Sequence, residues 1–157
     1  MARRTNRRAF LGSALLGMAG VPATGADSAA SPKANITEVS PPGVSGLEFA
    51  FSPGVLAEGR KLLFVSGRGP RDHKADPETQ IRQTFENIDK VLSAAGATMK
   101  NLVILRAFFV NIARDLPAYR KVRKEFLSRP YPASTSVGVS ALAEADLQVE
   151  IEAVAVL

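Results

Sequence analysis

The chain has no cysteine and only one histidine among its 157 residues. Without thiols it can form no disulfide, no thiolate nucleophile and no Cys-based zinc or iron–sulfur centre. The single histidine, His73, lies in the polar stretch GPRDHKADPE, which all but removes multi-histidine metal sites. No such metal centre is therefore expected. A chain that is 46% hydrophobic and 22% charged still buries enough surface to fold as one domain without such staples.

Also scarce is net positive charge outside one segment. The formal charge of +5 invites a nucleic-acid reading, but the first thirty residues argue otherwise. MARRTNRRAFLGSALLGMAGVPATGADSAA has a basic start, an apolar run from Phe10 to Val21, and small residues offering cleavage after Ala26 or Ala30. This reads as a secretory signal, too short and too rich in Gly and Ala for a membrane span. Arg7-Arg8 followed by Ala9, Phe10 and Leu11 resembles the twin-arginine export pattern. Residues 1–26 hold Arg3, Arg4, Arg7 and Arg8 and no acid, so removing them takes the charge from +5 to +1. The expected location is periplasmic or secreted, with neither nucleic acid nor membrane as a partner of the mature form.

Residues 27–45 read as a Ser/Pro/Ala-rich linker in which ITEV forms a short strand, and residues 46–157 as the folded domain. Two β-like runs, LEFAFSPGVLA and KLLFVSG, are joined by Glu58-Gly59-Arg60, a hairpin-length turn. Asp76-Pro77-Glu78 starts a helix, Ile81, Phe85, Ile88, Val91 and Leu92 recur at helical spacing, and Gly96 ends it. LVILRAFFVNI follows as a strand, and a second helix is expected from Asp115-Leu116-Pro117, with Leu116, Tyr119, Val122 and Phe126 on one stripe. ASTSVGVSAL and LQVEIEAVAVL are strands, the last alternating with period two.

This order predicts an α+β fold: a single mixed β-sheet with two helices on one face, both crossovers making parallel pairs. Residues 102–110 are apolar on both faces except at Arg106, yet two helices can cover only one face. The other is expected to pack on further copies of the chain.

Glu150 and Glu152 share a strand face about 7 Å apart, as an acid–base pair or as a solvated edge. Ser66-Gly67 ends a strand where glycine lets backbone amides approach a ligand, or simply begins a turn. Ser134, Thr135 and Ser136 in ASTS have no histidine base nearby and no Gly-x-Ser-x-Gly elbow, which argues against a serine nucleophile.

FSPGV (51–55), LFVSGRGP (63–70), QIRQTFENIDKVLSAAGA (80–97), FFVNI, YPASTSVGVSAL (131–142) and VEIEAVAV (149–156), in this order, resemble the RidA/YjgF family of reactive-intermediate deaminases. The resemblance spans residues 47–157. It implies a homotrimer of chorismate-mutase-like subunits with small-molecule clefts between them, hydrolysing enamines and imines to carbonyl compounds and ammonia without a cofactor. It further implies that Glu150 positions water and that Ser66, Gly67 and Phe51 contact the ligand, Phe51 standing where the deaminases have tyrosine. Active imine deaminases carry Pro-Ala-Arg where this chain has Pro132-Ala133-Ser134, and that arginine forks onto the substrate carboxylate. Ser134 offers one neutral donor in its place, about a 10- to 150-fold weaker grip. The expectation is an atypical imine or enamine deaminase, or else a binding or protein-protective trimer without turnover. Arg68, after Ser66-Gly67, and Arg106 are the candidates to replace the missing cation.

Overall fold

The computed structural model describes residues 34–44 and 46–157. The expected signal, residues 1–26, lies outside the described residues. Among those described, no helix is long and apolar enough to cross a membrane.

The first helix, α1 (Pro77–Ala94), forms for the reasons read in its sequence. The Asp76 carboxylate accepts the Thr79 amide at 3.1 Å, and Pro77 occupies the first turn, where its missing N–H costs no bond. Ile81, Phe85, Ile88 and Leu92 are fully buried. Gly96, at φ +73°, then adopts the left-handed conformation that closes many helices. The second helix, α2 (Ile112–Phe126), begins three residues before the expected Asp115. The side chain of Asn111 caps it by accepting the Arg114 amide, so Pro117 lies inside the helix rather than at its start.

The described residues form six strands: β1 (Asn35–Val39), β2 (Gly54–Glu58), β3 (Leu62–Arg68), β4 (Leu102–Phe109), β5 (Ala133–Gly138) and β6 (Val149–Val156). The mixed sheet has the order β3-β6-β4-β5. β4 and β5, linked by α2, pair in parallel. The other crossover does not give the expected parallel pair, because β6 lies between β3 and β4, antiparallel to both. A C-terminal strand that alternates polar and apolar residues can satisfy two neighbours, and it takes the central place.

The expected hairpin across Glu58-Gly59-Arg60 is also replaced. β2 pairs with β1, which falls within the stretch read as linker, in a separate two-stranded sheet. Gly59 passes the end of β6 so closely that an added Cβ would lie 2.4 Å from Val156 Cγ2. The amides of Arg60 and Lys61 then both donate to the Leu157 carbonyl. The two sheets meet through one parallel bridge, Ser52 to Ala133. The first part of LEFAFSPGVLA is a single 3-10 turn, Leu47–Phe49.

Both helices cover the face carrying Val65, Leu105, Ala107, Phe109, Ile151 and Ala153. Tyr119 of α2 stacks on Phe85 and meets Phe109 edge-on, centroids 6.0 and 5.2 Å apart. The opposite face, read from the strand register, carries Phe64, Val154, Ile104 and Phe108, with Arg106 and Glu152 paired among them at 2.6 Å. Phe64 is 71% exposed, so this apolar face is uncovered in a single subunit.

Candidate functional site

The site residues expected from sequence fall into two groups at opposite edges of the sheet. The first gathers where β3 meets β6. β3 bulges between Val65 and Arg68, which places Gly67 directly against Glu150. A Cβ on residue 67 would lie 1.8 Å from Glu150 Oε1, so only glycine lets the half-buried carboxylate sit there. Arg68 and Glu150 line a cleft of about 520 Å³ together with His73, Asn87, Lys90 and Leu147. The cleft mouth is fixed from behind: Asn87 Nδ2 donates to the Gly69 carbonyl at 2.9 Å, and Leu147 packs where a Cβ on Gly69 would go. Arg68 turns back to donate Nε to the Gly67 carbonyl at 2.8 Å, while Ser66 is exposed. His73 Nδ1 lies 3.5 Å from the Glu144 carboxylate.

The two strand glutamates do not act as a pair. Glu152 is held by Arg106, whereas Glu150 enters no ion pair among the described residues. The same bond answers the question about Arg106: its guanidinium is engaged on the open face. Arg68 is the expected cation that does line the Glu150 cleft, and Lys90, which sequence reasoning missed, joins it from α1.

The second group lies beside β5. Ser134 pairs with Leu105 and so shares the helix-covered face, whereas Glu150 pairs with Phe108 on the open face. Three residues along β4 and two strand spacings across separate them, about 10 Å in each direction. Phe51 is at this same edge, because the following residue, Ser52, bridges Ala133. Its ring stacks on Phe49 at 6.5 Å. Arg123 of α2 lies beside it, Cζ 5.9 Å from the Phe51 centroid and 4.9 Å from that of Tyr119.

Nothing in the sequence reading singled out Arg123, although a signal exists: it occupies the apolar stripe of α2 between Val122 and Phe126, four residues after Tyr119. It is 3% exposed, and its Nε and Nη2 have no hydrogen-bond partner. Burial lowers its pKa from the usual arginine value, opposed by Tyr119 and reinforced by the neighbouring cation Arg120. Tyr119 Oη and Ser134 Oγ are also buried without partners.

Near this edge Glu38 of β1 accepts from the Arg129 guanidinium and, at 2.7 Å, from the Tyr131 amide. The Arg129 bond is the main cause holding the Glu38 carboxyl below its ordinary value, and the Tyr131 amide adds to it against the opposing effect of burial. A further concavity of about 800 Å³ beside Ala34, Arg60 and Lys100 contains none of the expected site residues.

Comparison with known proteins converges on one family. The family profile described as Endoribonuclease L-PSP matches residues 47–157. A 2-iminobutanoate/2-iminopropanoate deaminase of Dermatophagoides farinae is 38% identical over 78 residues, covering 50% of this chain and 59% of that protein. The RutC family protein YjgH of Escherichia coli is 34% identical over 95 residues, covering 57% and 72%. Among solved structures, the Rid family protein YyfB of Yersinia pestis, of unknown function, superposes with a TM-score of 0.71 at 29% identity. That match covers 78% of this chain and 99% of the other.

Proposed function

The chain belongs to the Endoribonuclease L-PSP (RidA/YjgF) family, and from that premise we propose that it works as a homotrimer binding a small organic ligand in clefts between subunits. The observation that carries this reading is the division of the candidate residues. Ser66, Gly67, Arg68 and Glu150 lie toward the β3 edge, and Phe51 and Ser134 toward the β5 edge of the same sheet. No motion within one subunit short of unfolding brings the two groups together. A neighbour related by rotation does so, because a heterologous contact joins one edge of each copy to the other edge of the next and closes into a ring. The uncovered apolar face with Phe64 and Phe108 supports burial by such copies.

Within the cleft the chemistry we propose is hydrolysis of an imine or enamine. Glu150, free of any ion pair among the described residues, accepts a hydrogen bond from water and turns its lone pair toward the imine carbon. An enamine first tautomerises to the imine. Glu150 then takes one water proton as the oxygen bonds to the carbon and the C=N π pair moves to nitrogen. As that proton and the hydroxyl proton pass to nitrogen the C–N bond breaks, so imine plus water gives a carbonyl compound plus ammonia. No oxidant and no cofactor enter the balance. The substrate class is proposed from the similarity to the 2-iminobutanoate/2-iminopropanoate deaminase. The expected signal makes the periplasm or the exterior the proposed site of action.

A binding trimer without turnover is the competing reading, and Ser134 favours it, since a neutral hydroxyl replaces the arginine of active deaminases. The deciding experiment incubates the protein lacking residues 1–26 with imino acids generated in situ and follows ammonia release. Acceleration that disappears in Glu150→Gln supports the hydrolase. No acceleration over buffer, together with ligand affinity unchanged in Glu150→Gln, leaves the binding trimer.

A further inference from the structure

Two loops meet at the rim of the Glu150 cleft, and each brings one charged or chargeable side chain to it. The loop after β3 carries His73, the stretch 140–147 ahead of β6 carries Glu144, and both residues line the cleft. His73 Nδ1 lies 3.5 Å from a Glu144 carboxylate oxygen, the two side chains 30% and 69% exposed. At that distance charge holds the pair more than a hydrogen bond does, and only a protonated imidazole supplies the charge.

The roots of the two loops are fixed by one side chain. Gln80 of α1 is buried; its Nε2 donates to the His73 carbonyl at 2.7 Å and to the Asp146 carbonyl at 3.3 Å. Its Oε1 accepts the Gln148 amide at 3.0 Å. Beyond this anchor the second stretch is loosely held. Among the described residues, no amide of 140–147 donates a backbone hydrogen bond, and residues 143–146 are exposed. Such a segment opens at low cost. The tie from Glu144 to His73 is what holds its tip.

His73 is the one group here whose charge changes near neutral pH. Arg71, paired with Glu86 of α1, shares its loop with Asp72 and Lys74, and Asp146 accompanies Glu144. Arg68 of β3, Lys90 of α1 and Glu150 of β6 line the same cleft, and Arg114 of α2 lines the shallower hollow on the other side of His73. Carboxylate, ammonium and guanidinium groups ordinarily keep their charge between about pH 5 and 8, where imidazole titrates. The chain has no second histidine.

We propose that residues 140–147 form a strap over the Glu150 cleft, latched by Glu144 while His73 is protonated and released when it is neutral. The inference rests on the reading of this cleft as the ligand site, and adds its regulation. Passage in and out of the cleft is slower on the acid side. An exposed ion pair biases closure by about two- to fivefold, so the latch tunes exchange and does not lock it.

The absence of cysteine supplies the probe. Val91 lines the cleft; in Val91→Cys the new thiol is alkylated with iodoacetamide, and the rate is compared with and without Glu144→Gln. Comparison at one pH cancels the thiol's own titration. At about pH 6 Glu144→Gln speeds alkylation about two- to fivefold, and at about pH 8 the two rates agree. His73→Gln matches Glu144→Gln, and His73→Lys, charged throughout, keeps the slow rate at about pH 8 as well. Equal rates with and without Glu144→Gln at about pH 6 overturn the proposal, as does fast alkylation of the His73→Lys variant at about pH 8. The probe needs neither ligand nor turnover. A latch that responds in a protein on which imino acids neither bind nor react keeps the strap and removes the ligand-site reading. Imine turnover in a protein whose alkylation ignores Glu144→Gln does the reverse.

Discussion

The carboxylate of Glu150 occupies the space in front of Gly67, its Oε1 only 1.8 Å from where a Cβ would stand. Gly67→Ala therefore acts on Glu150 as much as on the backbone. The carboxylate must rotate away, and a misplaced catalytic group loses on the order of 100-fold in rate. The expected result is a folded protein with strongly reduced turnover and a displaced Glu150 in its crystal structure. A Gly67→Ala enzyme with normal kinetics would remove Glu150 from the chemistry.

Replacing Glu150 by glutamine keeps the shape and deletes the proposed base. A general base of this kind contributes about 10²- to 10⁴-fold, so for the proposed hydrolase kcat falls by that range while ligand affinity and assembly stay as they are. Titration calorimetry beside an ammonia assay reads both.

A site divided between two sheet edges predicts complementation. Glu150→Gln spoils one half-site and Phe51→Ala the other. Trimers reassembled from an equal mixture of these inactive variants contain intact clefts wherever a good half faces a good half, about a quarter of the total. Recovery to about a quarter of wild-type activity is expected. Zero recovery places the whole site in one subunit.

Arg106 and Glu152 are 49% and 38% exposed in a single subunit, where such a pair contributes at most about 1 kcal/mol. Once another copy covers the open face the pair is buried, and removing one partner costs about 3–5 kcal/mol. Arg106→Met thus leaves subunit folding nearly intact and weakens assembly, which sedimentation over a dilution series measures. Unchanged association would mean that this face is not the contact.

Glu38 gives the domain an acid-sensitive clasp. Its folded pKa lies below the ordinary 4.5, held there chiefly by Arg129. The stability it adds is therefore complete above that value and is lost as pH falls through the folded pKa. Hydrogen exchange in Asn35–Val39 should accelerate below pH 4.5 before the main sheet opens. In Glu38→Gln those amides exchange quickly at neutral pH too, and the acid step disappears.

The helices were legible because their signals are local: Asp76 and Gly96 mark the ends of α1, and four buried apolar residues mark its face. The start of α2 was harder, since Pro117 looks like a first-turn residue and Asn111 is capable of many turns. Of the strand partners only β4 and β5 were legible, their parallel pairing following from the short α2 crossover. Nothing near β3 says that it meets β6 rather than β4, because that choice is made between residues nearly ninety positions apart. For the site, glycine and glutamate motifs located the Glu150 half, while Arg123 escaped notice as an ordinary basic residue on a helix. Only the three-dimensional packing reveals that its charge is enclosed.

The place of β6 at the centre of the sheet has a meaning for how the protein is made. The strand that joins β3 to β4 is synthesised after both of them and after β5, so the sheet cannot close until it has been made. Its completion waits for contacts of long sequence separation, which form slowly. A frameshift or stop ahead of Val149 removes the middle of the sheet, and such a product leaves β3 with no strand to join it to β4 and β5.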